Sequence, residues 1–147
     1  MKSILLILLA SCISLVSCSK ENNNDNGLVR VVFDPGNLKF ISTSLNPRKE
    51  TMSALYGNQE ALKSLSTQDT KPQNGSIMKL VTWRYHDNPQ YFGGKITGEL
   101  VSVETILADN EGNISYDIKN NEAAESKQHR PEERVQYFMS YQPVKRP

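Results

Sequence analysis

The chain has two cysteines, Cys12 and Cys18, and both stand within its first 18 positions. No thiol follows them. A domain built from the rest has no disulfide, no cysteine-ligated zinc, no cysteine nucleophile and no thioether bond to a haem. Non-covalent interactions must hold it, apolar burial first among them, so the spacing of apolar residues is the main guide to what it folds into.

The two cysteines themselves sit in an export signal. Lys2 supplies the positive start, Ile4 to Ala10 the apolar run, and small residues follow. That run is well short of the roughly 20 apolar residues a permanent membrane helix needs. Leu15-Val16-Ser17-Cys18 resembles the bacterial lipobox, in which the thiol takes a diacylglyceryl group and the preceding peptide is removed. Leu9-Ala10-Ser11-Cys12 also fits, but leaves an apolar run of about six residues, below the roughly 7–15 of such signals. Lipidation is therefore expected at Cys18; an ordinary secretory peptide cut near the same place is the alternative. The Ser-Lys-Glu directly after Cys18 resembles surface-export signals of Bacteroidetes lipoproteins. Residues 1–17 are then the signal peptide, and 18–27 the lipidated Cys and a polar, aperiodic tether expected to be flexible. Residues 28–147 form a single domain. The expected location is the cell envelope, anchored by lipid to a membrane, most simply the outer one, on its periplasmic or exposed side. Net charge is +1, without a basic stripe, which argues against a nucleic-acid partner.

Within the domain, Leu28 to Phe33 and Leu38 to Ser42 are apolar runs separated by Asp34-Pro35-Gly36-Asn37, which is turn chemistry. A strand pair is expected there. Met52 to Tyr56 reads as a further strand, and Gln59 to Leu65 as a short helix capped by Asn58. Thr67 to Ser76 is a polar loop. Ile77 to Tyr85 alternates, with Ile77, Val81, Trp83 and Tyr85 on one face and Met78, Leu80 and Thr82 on the other. Two apolar faces predict a central strand. Leu100 to Leu107 alternates too, and Asp109 to Asn113 turns the chain into Ile114 to Ile118. After a polar stretch from Asn120 to His129, Pro131, Glu132 and Glu133 open a helix, with Val135, Phe138 and Met139, then Gln142, along one stripe. The class is α+β: a mostly antiparallel sheet, a short helix after the first strands and a C-terminal helix.

Trp83, Tyr85, Tyr91 and Phe92, followed by Gly93-Gly94, concentrate aromatic area in one stretch. They are candidate ligand-binding residues, read as core first and pocket wall second. His86-Asp87 is a candidate for acid–base work, with no nucleophile nearby in sequence. Glu104 falls on a half-buried strand and needs a partner, for which Arg84 is a candidate. Two separated His and no close carboxylate spacing match no metal-ligand pattern.

Three segments, "TMSALYGNQEALKSL", "GSIMKLVTWRYHDNPQYFGGKITGELVSVETI" and "EERVQYFMSYQPVKRP", resemble in this order segments of the cytochrome P-460 family. The resemblance covers Arg48 to Pro147 and implies a mostly antiparallel β domain with helices. Family members with a cofactor carry c-type haem on Cys-x-x-Cys-His near the C-terminal end; some oxidise hydroxylamine, and relatives bind nitric oxide or other small ligands. Here Glu125-Ser126-Lys127-Gln128-His129 stands near that place. Covalent haem chemistry does not carry over. Non-covalent haem, with His129 or His86 as axial ligand, stays as an alternative. The leading expectation is a non-catalytic envelope lipoprotein with a haem-less P-460-like domain that binds a small apolar or aromatic ligand or an envelope protein. A purely structural envelope component is the third reading.

Overall fold

A strand with two apolar faces has to be covered on both, and Ile77–Asp87 is placed accordingly. In the computed structural model, which describes residues 32–120 and 130–144, it is the middle strand β3 of five. With β1 (Lys39–Asn46), β2 (Thr51–Gly57), β4 (Lys95–Ala108) and β5 (Ile114–Asn120), it forms one sheet in chain order, each strand antiparallel to the next. Helix α1 (Gln59–Ser66) follows β2 and helix α2 (Pro131–Met139) follows β5. The class is α+β. Cys12, Cys18, the tether, most of the expected strand Leu28–Phe33, and residues 121–129 with His129 lie outside the described residues.

One sheet face carries the larger core. Leu55 from β2, Met78 and Leu80 from β3 and Ile106 from β4 meet Ala61 and Leu65 of α1, and Val135, Phe138 and Tyr141 at α2. Burying a side chain of this size contributes about 1.5–3 kcal/mol, so this cluster is the chief source of stability. On the helical stripe, Tyr141 takes the buried place while Gln142 is exposed.

The corner between β2 and α1 gives Gly57 and Asn58 an architectural role. A Cβ on Gly57 would lie 2.7 Å from Ile41 Cδ1 and 2.9 Å from the Ala61 Cβ. Asn58 then caps α1: its Oδ1 accepts from the Ala61 and Ile77 amides, each at 3.1 Å, and its Nδ2 donates to the Gly75 carbonyl at 2.7 Å. One side chain thus joins helix, loop and central strand.

Two features depart from the sequence reading. Val32 and Phe33 are not in the sheet. The turn is present: Gly36 has φ +63° and its amide donates to the Asp34 carboxylate at 2.8 Å. It delivers the chain to β1, which runs on through Thr43 to Asn46 and pairs with β2. Cross-strand partners, not intrinsic propensity, extend it. The second departure is in β4, which shifts register twice: Thr82 faces Ser102, Trp83 faces Leu100 and Tyr85 faces Thr97. The extra residues bulge the strand and turn Leu100 to the same side as Val103.

Candidate functional site

The second sheet face holds Ala54, Val81 and Trp83, with Phe33, Met52, Tyr56, Leu100 and Val103 packed around them. Met52 and Leu100 flank Trp83 directly on the neighbouring strands. Phe33, just before the turn, sets its ring 5.8 Å from that of Tyr56, and Phe40 meets Tyr56 edge-on at 6.0 Å. Partial burial among these side chains raises the Tyr56 hydroxyl pKa. Trp83 is 5% exposed there, and among the described residues its indole N–H meets no acceptor. An orphaned buried donor costs about 1–3 kcal/mol, so native folds rarely leave one without a use.

The aromatic stretch therefore divides. Trp83 is core on the second face and Tyr85 is half-buried, its ring 5.0 Å below the Lys95 ammonium. Tyr91 and Phe92 stand at the tip of the β3–β4 hairpin, 69% and fully exposed, and do not join Trp83 in a common wall. Their loop closes on itself: the Asn88 amide donates to the Gly94 carbonyl at 2.8 Å, and the Gly94 amide to the Tyr91 carbonyl at 2.9 Å. Gly93 supplies the positive φ of +78° that the turn needs. At the loop base Lys95 pairs with Asp87, the hydrogen bond to which raises the lysine pKa.

His86 is half-buried beside Ile96. A Cβ on Gly98 would come within 2.5 Å of its Cδ2 and Nε2, so the ring rests on the glycine backbone. Iron ligation by Nε2 would require the ring to turn away from that seat. Asp87 is engaged with Lys95 rather than with His86.

Glu104 finds a different partner from the one expected. It lies opposite Leu80 on the helix-covered face, at 6% exposure, and Arg134 of α2 reaches it with Nε and Nη2 at 2.7 and 2.8 Å. The Tyr116 hydroxyl donates to the same carboxylate at 2.8 Å. Arg84, exposed and four positions further along β3, is not its partner. Burial and this hydrogen bond push the Tyr116 pKa up to about 12. The guanidinium lies 4.5 Å from the centre of the Tyr137 ring, and Tyr137, Tyr141 and Ser44 continue as a chain of hydroxyls at 3.2 and 2.7 Å. Every strong group here is matched, as in a device that pins α2 to the sheet. Sequence reasoning missed Arg134, Tyr116, Tyr137 and Tyr141, because the partners come from separate elements and no spacing rule joins them.

Beside the β4–β5 turn, a groove of about 400 Å³ runs between Gly75-Ser76-Ile77, Leu107 to Asp109 and Asn113 to Ser115. Its lining includes Ser76, whose buried hydroxyl has no partner among the described residues. Among the described residues no three His, Asp or Glu converge as a metal site, and no helix is long and apolar enough to cross a membrane. No protein-family model matches the chain, and no curated protein is detectably similar to it.

Proposed function

We propose that this chain is a lipid-anchored protein of the cell envelope whose domain, P-460-like and without covalent haem, serves as a binding module. Its ligand is a small apolar or aromatic molecule carrying a hydrogen-bond acceptor, and its seat is the second sheet face at Trp83. The observation that carries this reading is the orphaned indole N–H amid Met52, Leu100 and Val103. Such a face supplies apolar contact, and a single placed donor supplies orientation. Binding is favoured over catalysis because the acidic and basic groups best placed for chemistry, Glu104 with Arg134 and Asp87 with Lys95, already satisfy each other. Support for the P-460 likeness comes from its motif residues, several of which hold the fold: Gly57 and Asn58 at the corner, Trp83 in the second core, Glu104 in the pin.

Trp83 is the sole tryptophan, so its emission reports directly on this face. Titration with 1-anilinonaphthalene-8-sulfonate, an aromatic probe with sulfonate acceptors, is expected to give saturable, one-to-one energy transfer from Trp83. Val103→Arg should weaken it at least about tenfold, the equivalent of ~1.4 kcal/mol. A parallel haemin titration separates the alternatives. A saturable Soret shift lost in His86→Ala or His129→Ala would replace this reading with a non-covalent haem protein. No saturable response to either probe would leave a structural envelope component.

A further inference from the structure

At the hairpin tip two adjacent aromatic side chains, Tyr91 and Phe92, are given to solvent, and Phe92 is the most exposed large apolar residue among the described residues. We propose that Tyr91 and Phe92 insert into the interfacial layer of the bilayer to which the protein is anchored, making the β3–β4 hairpin a second contact that fixes the domain's orientation. The inference rests on the lipid anchor at Cys18 proposed above.

Four observations point to a bilayer. The first is chemical: a phenol beside a phenyl ring matches an interface that is wet at one level and apolar just below, where tyrosine is enriched. The second is backbone satisfaction. Entering a poorly hydrated layer costs several kcal/mol for each unpaired amide. From Asn88 to Gly94 the loop bonds the amides of Asn88, Gln90, Tyr91 and Gly94 internally, Pro89 has none to satisfy, and only the Phe92 and Gly93 amides are left to water and headgroup oxygens, which the interfacial layer supplies. The third is charge. No residue from Asn88 to Gly94 is ionisable apart from the Tyr91 phenol, and the flanking Asp87 and Lys95 neutralise each other.

The fourth is reach. From Cys18 to Val32 there are 14 residue steps, which span at most about 50 Å. Phe33 touches Tyr56, whose β3 neighbour Lys79 lies eight residues, about 26 Å, from Asp87 at the base of the tip. The covalent tie is thus long enough for the tip to lead towards the membrane. Area separates this partner from a protein. Two aromatic side chains offer roughly 300–400 Å², about half of the ~800 Å² per partner of a stable protein interface. That suffices for a contact that assists an anchor already in place.

The test uses the full lipidated chain carrying Phe92→Trp, reconstituted into phosphatidylethanolamine–phosphatidylglycerol vesicles with brominated acyl chains. Glu111→Trp, in the β4–β5 turn at the opposite end of the sheet, is the control, and the wild-type chain supplies the Trp83 background. Flotation of the vesicles reads the anchor independently. Among floating samples, bromine is expected to quench the indole at position 92 several-fold more than the one at position 111, with a blue-shifted emission only at 92. Equal quenching at both positions overturns the inference while leaving the anchor intact. An indole at 92 shielded from acrylamide but unreached by bromine also overturns it, in favour of a protein contact. A chain that fails to float removes the anchor and this inference together.

Discussion

Arg134→Met tests how the C-terminal helix is held. In the folded protein the Glu104 and Arg134 side chains are 7% and 16% exposed, and two hydrogen bonds of 2.7 and 2.8 Å join them. Removing the guanidinium leaves a buried carboxylate with the Tyr116 hydroxyl as its remaining partner. Breaking a buried pair in this way costs about 3–5 kcal/mol. Because the arginine side is not fully buried, water relieves part of the penalty, and about 3 kcal/mol is the expected loss. Against a total stability of about 5–15 kcal/mol that is a large fraction. Glu104→Gln should cost less, about 2 kcal/mol, since Arg134 keeps partial hydration and its place over Tyr137. The double replacement Glu104→Leu with Arg134→Met removes both charges and should cost less than the sum of the singles, with a coupling of about 2–3 kcal/mol. Urea unfolding followed by Trp83 emission measures all three, and with slopes of ~1–3 kcal/mol per molar the first variant shifts the midpoint by about 1–3 M. Single losses below about 0.5 kcal/mol, or strict additivity, would refute the claim that this pair pins α2.

Tyr116 links stability to alkaline pH. Its folded pKa of about 12 lies above its ordinary value of 10, so its contribution is full below pH 10 and is lost as pH rises towards 12. Tyr116→Phe should therefore flatten the stability–pH curve in that window, as measured by urea midpoints at successive pH values. Gly57→Ala drives a methyl into Ile41 and Ala61 and is expected to cost about 1–3 kcal/mol in the same assay, whereas Gly36→Ala meets open space and bears only its backbone strain. Labelling cells with radioactive palmitate should mark the wild-type chain and Cys12→Ala but not Cys18→Ala; label retained by Cys18→Ala would relocate the lipid.

Features encoded within a few residues were legible in the sequence. Asn58 announced α1 by its capping oxygen, Pro131 and the two glutamates announced α2, and Asp109 to Asn113 announced the last hairpin. Two apolar faces on Ile77 to Tyr85 placed that strand at the centre of the sheet, because only a covered strand can carry both. The confinement of thiols to the first 18 positions removed whole classes of chemistry before any fold was known. Tertiary structure decided the rest. Arg134 lies 30 residues from Glu104, and its choice over Arg84 depends on where α2 docks, which periodicity does not encode. Trp83 and Phe92 belong to one aromatic run, yet one is buried and the other fully exposed. The sheet's second face ends between them, and the loop beyond it bonds most of its own amides. Composition counts aromatic area; only the packing of the neighbouring strands determines which of it is covered.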